Sequence, residues 1–118
     1  MSLHVVPLLG EDGRVVCERC AVADRALARM RGLLGRSSLP AGEGILLRPA
    51  SSVHMAFMRF PIDVVFLDRD GAVVKVVPEL APWRVAGARG ARDAVELAAG
   101  EAARRGIRVG ERLRLGEA

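Results

Sequence analysis

A long apolar run followed directly by a turn sequence is the feature that most constrains how this chain folds. Residues 62–68 read Ile-Asp-Val-Val-Phe-Leu-Asp, and the sequence Asp-Arg-Asp-Gly at 68–71 leads into a second β-rich run at 72–77. A continuous apolar run is typical of a strand covered on both faces. Asp first, Asp third and Gly fourth suit a type I turn that ends in a left-handed glycine. The sequence therefore predicts a bulged antiparallel hairpin over residues 62–77.

The rest of the chain is predicted as short strands and two short helices separated by turn residues. Strands are predicted at 14–22, 45–47 and 53–58, a turn at Gly110 and a strand within 107–115, and helices at 25–34 and 100–105. Residues 91–98 fit either a strand or a helix, and the long connection at 78–90 is a candidate functional loop. We therefore expect one domain, residues 1–118, that is mainly β (α+β): a curled, barrel-like sheet of about six to eight short strands with about two short helices.

Composition narrows the class of partner. The chain has a net charge of +4, with 18 basic and 14 acidic residues interspersed, and its only aromatic residues are three Phe and one Trp. A mixed surface without an aromatic stacking platform predicts no nucleic-acid partner. The basic cluster Arg25, Arg29, Arg31 and Arg36 is then a solvated helix face. We expect an unidentified small ligand or a protein as the partner, and a monomer.

Neither a membrane span nor a signal peptide is recognised in the sequence. The apolar segment Leu3 to Leu9 is short and has no basic residue before it. No run reaches the length of a membrane-spanning helix. The sequence therefore predicts a soluble, cytoplasmic protein.

The sequence offers little evidence for a bound metal or cofactor. Cys17 and Cys20 are three positions apart on a predicted strand, so we expect their side chains to face opposite sides of the sheet. His54 and Met58 share a face of the strand predicted there, whereas Met55 lies on the other face, which disfavours a copper site. We expect no bound metal and no cofactor.

Several ordered motifs resemble a known bacterial and archaeal family, the "domain of unknown function 192". The resemblance covers about residues 14–115. The motifs are Arg31-Gly-Leu-Leu-Gly-Arg36, Val53-His54, Met58-Arg-Phe-Pro-Ile-Asp-Val-Val-Phe-Leu-Asp68, Pro82-Trp-Arg84, Val95-Glu-Leu-Ala-Ala-Gly100 and Gly106-Ile-Arg-Val-Gly-Glu111. The resemblance implies a small, soluble, largely β protein without an established activity, although many members look exported or lipid-anchored. It also implies a strand at 91–98.

Six polar or aromatic residues form the predicted binding cleft: His54, Arg59, Asp63, Trp83, Arg84 and Glu96. Asp63 enters the buried strand, so its carboxylate must be paired, and Arg59 or Arg84 is the expected partner. Asp63 either belongs to a structural ion pair or a turn cap, or it is a residue of the binding site. Glu96 is either the solvent face of an edge strand or part of the cleft. Trp83 either plugs one end of the barrel or lines the cleft.

Two functions remain open at this point. The favoured hypothesis is a non-catalytic binding or accessory domain that uses this cleft. The alternative is a small, hydrolase-like enzyme in which His54 acts with Asp63 or Glu96 as acid and base. No catalytic residue is assigned, because the chain has no glycine-rich phosphate loop, no Gly-x-Ser-x-Gly turn and no His-Glu-x-x-His helix.

Overall fold

The structure is a computed structural model that describes residues 4–24, 33 and 35–117. These residues form nine strands and one short helix. The elements are β1 His4–Leu9, β2 Val15–Ala23, β3 Glu43–Leu47, β4 Ser52–His54, β5 Ile62–Leu67, β6 Val73–Leu80, β7 Val85–Gly87, β8 Asp93–Ala98, α1 Glu101–Arg104 and β9 Arg114–Leu115. Within this part of the chain, no helix is long and apolar enough to cross a membrane.

The predicted hairpin is confirmed, with β5 and β6 as its antiparallel arms. At the turn, Gly71 donates its N–H to the carbonyl of Asp68 at 3.0 Å and has a φ of 83°. The Asp68 carboxylate accepts the backbone N–H groups of Asp70 at 2.8 Å and Ala72 at 2.9 Å. The side chain of Asp68 therefore fixes the turn that its position predicted.

Seven strands form one sheet in the order β6-β5-β8-β3-β2-β1-β9, in which β2 and β3 pair in parallel. The two edges of this sheet approach each other. Val73 at the start of β6 donates to Glu111 and accepts from Gly110, and Leu113 donates to Gly71, at 2.8 to 2.9 Å. The sheet is therefore curled without being fully closed, which confirms the predicted fold class.

Side chains on the two faces of the sheet pack into two separate cores. Val65 and Leu67 of β5 belong to the core inside the curl, which we call the inner core, together with Ala102 of α1. Ile62, Val64 and Phe66 of β5 belong to a second core on the other face, the outer core. All six residues of β5 are buried, as the continuous apolar run predicts.

The outer core is covered in part by a two-stranded antiparallel sheet, β4 with β7, which we call the ribbon. Val53 and Ala86 are paired across the ribbon, and both are buried in the outer core. His54 and Val85 are also paired, and both are exposed. Directly opposed residues lie on the same face of an antiparallel pair, so the ribbon has one buried and one exposed face.

Several boundaries differ from the predicted ones. The predicted strand 53–58 ends at His54, and residues 78–90 are not one long loop, because β6 continues to Leu80 and β7 occupies Val85–Gly87. Strand β1 was not predicted. The strand at 91–98 and the helix near 100–105 are confirmed. The helix predicted at 25–34 falls almost entirely outside the described residues.

Substituting Gly71 by Ala is expected to destabilise the protein by about 2 kcal/mol or more. A Cβ at this position would lie 2.6 Å from the backbone oxygen of Leu113, in addition to the strain of the positive φ. Gly90→Ala is the matched control, because Gly90 has a similar φ of +82° but a Cβ there meets nothing within 4 Å. The expected loss of stability for this control is about 1 kcal/mol. Urea unfolding of both variants measures the difference. Equal losses would show that the close approach of the Leu113 carbonyl does not restrict the side chain at position 71.

Candidate functional site

Asp63 is fully buried, and its carboxylate accepts hydrogen bonds from three backbone amides in two segments. Oδ1 accepts the N–H groups of Glu79 at 2.9 Å and Gly100 at 3.1 Å, and Oδ2 accepts the N–H of Ala102 at 2.8 Å. Gly100 is the N-cap of α1, and no side-chain cap bond is made there. Asp63 therefore caps this helix from a distant strand and also fixes the bulge of β6 at Glu79.

The expected ion pair of Asp63 with Arg59 or Arg84 is not among the salt bridges of the part of the chain that the structure describes. Both carboxylate oxygens are instead used by main-chain donors. Arg59 and Arg84 are exposed, whereas Asp63 is not. The geometry therefore corresponds to the turn-cap interpretation of Asp63.

Glu96 is also buried, with 5% of its surface exposed, but no hydrogen bond or salt bridge to it is found among residues 4–24, 33 and 35–117. It lies on the central strand β8, directly opposite Ile45 of β3 and Val64 of β5. It is therefore not on the solvent face of an edge strand. Burial in these apolar surroundings raises the pKa of Glu96 to about 7.

The structure does not bring Asp63 and Glu96 together. Opposed residues share a face, so Glu96 lies on the outer-core face with Val64, whereas Asp63 lies on the inner-core face, opposite Leu97. His54 is exposed on the ribbon, and no hydrogen bond joins it to a carboxylate in the described ranges. The acid–base pair that the hydrolase alternative requires is therefore not formed by these residues.

Two turns at one end of the ribbon each present an aromatic ring. Met58 donates to the carbonyl of Met55 and Arg84 donates to that of Ala81, both at 3.2 Å, which closes a four-residue turn in each case. The third residue of each turn has a positive φ, 65° at Phe57 and 70° at Trp83. These are features of type II turns, in which glycine is normal at this position. Both turns therefore hold a large aromatic residue in a conformation that costs roughly 1 kcal/mol or more.

The two turns are joined through Met55, and their aromatic rings touch. Met55 donates to the carbonyl of Arg84 at 2.8 Å and accepts from Trp83 at 2.9 Å. The ring centroids of Phe57 and Trp83 lie 4.9 Å apart at an interplanar angle of 61°, an edge-to-face contact. This contact and the main-chain bonds fix both rings relative to each other.

The rings are nevertheless exposed to solvent. Phe57 is 72% exposed, Trp83 65% and Val85 71%. We call these three residues the aromatic ridge. They make up half of the large hydrophobic side chains that are exposed within the described residues; the others are Val5, Val15 and Val109.

Three of the six residues of the predicted cleft, His54, Trp83 and Arg84, lie in the ribbon or its turns, and Arg59 directly follows one of the turns. His54 pairs with Val85, Arg84 stands between Trp83 and Val85 in sequence, and Arg59 follows Phe57 by two residues. Phe57 was missed, because residues 53–58 read as a strand. The turn at Trp83 could have been predicted, because Pro82 occupies the second turn position, where proline is common in type II turns.

The prediction that Cys17 and Cys20 face opposite sides of the sheet is wrong. Two residue steps of β1, from Val6 to Leu8, stand opposite three residue steps of β2, from Cys20 to Cys17, so β2 contains a bulge. Both cysteines are buried in the inner core as free thiols. A hydrogen bond between the two thiols lowers the pKa of Cys17 and raises that of Cys20.

A shallow pocket between the β1–β2 turn and the C-terminal segment is occupied by the protein's own salt bridges. Glu111 accepts two bonds from the Arg14 guanidinium, at 2.8 Å each, and the backbone N–H groups of Glu11 and Arg108. Arg14 also donates to the carbonyls of Arg105 and Gly106 at 2.9 Å. This network ties the β1–β2 turn to the C-terminal segment. Within the described residues, no group of three or more His, Cys, Asp or Glu side chains could hold a metal ion.

Comparison with known proteins identifies a family and a shared fold. The family model DUF192, described as "Uncharacterized ACR", matches residues 8–115. A protein of unknown function from Novosphingobium aromaticivorans is 25% identical with a TM-score of 0.80, over 95% of this chain and 84% of its own. A candidate transcription regulator from Sinorhizobium meliloti is 24% identical with a TM-score of 0.83, over 98% of this chain and 96% of its own. No significant match is found among curated proteins.

Replacing Asp63 by Asn is expected to destabilise the protein by about 3 kcal/mol. The amide would keep one acceptor oxygen but turn an NH₂ group toward backbone donors. Asp68→Asn is the matched control, since Asp68 also accepts two backbone N–H groups but in a turn that tolerates Asn, where the expected cost is below about 1 kcal/mol. Chemical denaturation of both variants tests this. A loss of less than about 1 kcal/mol for Asp63→Asn would contradict the capping role.

Stability is expected to fall as the pH rises from about 4.5 to about 7, because of Glu96. Folding raises the pKa of Glu96, so its contribution is fully present below the ordinary pKa of 4.5 and is lost as the pH rises through the folded value of about 7. The difference corresponds to about 3 kcal/mol. Glu96→Gln should remove this part of the pH dependence, as measured by urea unfolding at a series of pH values. An unchanged pH profile in the variant would contradict the assignment.

Proposed function

The chain belongs to DUF192, a family described only as uncharacterized, and we propose that it is a non-catalytic binding domain that docks a protein partner through the aromatic ridge. The observation that carries the proposal is the pair of turns in which Phe57 and Trp83 take a positive φ, at 65° and 70°. The cytoplasmic location predicted from the sequence is part of the same proposal.

The ridge is unfavourable for the isolated protein. Glycine would relieve the backbone strain at both turns, and rings that are 65% and 72% exposed contribute little burial. Strain of this kind is retained at positions where it serves recognition or catalysis. A surface that binds a partner accounts for both the strain and the exposure.

The composition and rigidity of the ridge favour a protein partner. Trp, Phe and Arg are enriched at protein interfaces, and Trp and Arg dominate their binding energy. The edge-to-face contact of Phe57 with Trp83 and the bonds through Met55 hold the rings in place. Because the rings are ordered before the partner arrives, less conformational entropy is lost on binding.

A nucleic acid is the competing class of partner. The Sinorhizobium protein is described as a candidate transcription regulator, and arginine with aromatic residues also binds single strands. Single-strand binding, however, uses successive ring faces on which bases stack. An interplanar angle of 61° turns the edge of one ring toward the other, so the pair provides no row of parallel faces.

Selection of random dodecapeptides displayed on phage, with the full chain immobilised, tests the proposal. We expect the selected peptides to bind the Trp83→Gly variant at least tenfold more weakly than the native chain. Val109→Ser removes an apolar side chain that is also 65% exposed but lies elsewhere, and this control should bind normally. Equal binding to the native chain and to Trp83→Gly, or no enriched peptide, would overturn the proposal.

Stability measurements keep this test interpretable. Trp83→Gly should unfold within about 1 kcal/mol of the native chain, because the strain that is relieved offsets the ring contact that is lost. Trp83→Ala keeps the positive φ and should be about 1 kcal/mol less stable than Trp83→Gly. A loss of binding in the folded Trp83→Gly variant then reports on the ridge itself.

A further inference from the structure

The two segments that form the ribbon and its turns contain basic residues and no acidic ones. We propose that the partner presents an acidic segment, with one apolar side chain packed against Phe57 and Trp83 and with carboxylates facing Arg59 and Arg84. This proposal rests on the proposed function. Residues 52–62 and 81–90, which include the ribbon and both turns, contain Arg59, Arg84, Arg89 and His54. They contain no Asp or Glu, although the chain has 14 acidic residues.

The arginines near the ridge are not neutralised by this protein. Arg59, Arg84 and Arg89 make no salt bridge within residues 4–24, 33 and 35–117. Some other arginines pair with the protein's own acids, as Arg14 does with Glu111 at 2.8 Å and Arg105 with Glu18 at 2.7 Å. Arg69 and Arg114 resemble Arg59 and Arg84 in making no salt bridge within the described residues. The guanidinium groups beside the ridge therefore keep their full capacity for carboxylates, which they bind in a bidentate manner.

The nearest acidic residues along the chain do not cancel this charge. The carboxylate of Asp63 is fully buried and is used by three backbone amides. Glu79 on β6 is exposed, and it makes no salt bridge with Arg59 or Arg84 in the part of the chain that the structure describes. Lys75 of β6 donates to the carbonyl of Gly87 at 2.8 Å and so places another cation beside the ribbon. Charge complementarity thus favours an anionic partner, while the ridge supplies its apolar contact.

The selected dodecapeptides whose binding depends on Trp83 are sorted by net charge. The tightest binder is then titrated against variants of the chain that lack selected arginines. We expect net negative peptides, at least tenfold weaker binding to the double variant Arg59→Gln/Arg84→Gln, and weaker binding as NaCl rises from about 0.05 to about 0.5 M. Arg69→Gln/Arg114→Gln removes two exposed arginines far from the ridge in sequence and should bind normally. A single-stranded thymine oligonucleotide is titrated in parallel.

The outcomes separate the two proposals. Peptides whose binding depends on Trp83 but that are neutral or basic would contradict the acidic partner. Peptides that bind the Arg59/Arg84 double variant as tightly as the native chain would contradict it as well. In both cases the proposed binding function of the ridge would still hold. Peptides that do not depend on Trp83 would overturn the proposed function itself. Oligonucleotide binding that depends on Trp83 and is tighter than peptide binding would replace the acidic protein segment with a nucleic acid.

Discussion

The buried carboxylate of Asp63 is the interaction on which most of the structure depends. It joins β5 to two segments that are distant in sequence, the bulge of β6 at Glu79 and the start of α1 at Gly100 and Ala102. A helix of four residues does not form on its own, and here its N-cap is a glycine without a side chain. The strand that is buried on both faces thus supplies the charged group that positions α1, and with it Ala102, in the inner core.

Two β-bulges decide where several side chains point. In β2, the bulge between Cys17 and Cys20 leaves Glu18 and Arg19 both exposed and turns both cysteines inward. In β6, a bulge opposite Asp63 brings the N–H of Glu79, a residue with a φ of 48°, onto the carboxylate. A one-residue insertion inverts the alternation of a strand beyond it. Arguments from alternation alone therefore fail at Cys17 and Cys20.

The structural features that could be predicted from sequence are set by residues close together in the chain. The features that could not be predicted depend on partners that are distant in sequence. The hairpin was predictable because Asp68 and Gly71 form its turn within a few residues. Strand β1 was not, because it contains Pro7 and is stabilised by pairing with β2 and with β9 at the other end of the chain. The same limit applies to the site. Trp83 follows a turn-forming proline, whereas the turn at Phe57 is held by Met55, whose partners come from another segment.

The division into two cores also places Asp63 and Glu96, two of the buried acids, on opposite faces of the sheet. Asp63 acts on the inner core, whereas Glu96 lies on the face of the sheet that carries the outer core. The ribbon has only three residues in each strand, and a two-stranded sheet of this size is not stable alone. It is held through Val53 and Ala86, which pack into the outer core. Ionising Glu96 would therefore place an unpaired charge on the face of the sheet that carries the outer core, into which Val53 and Ala86 of the ribbon also pack.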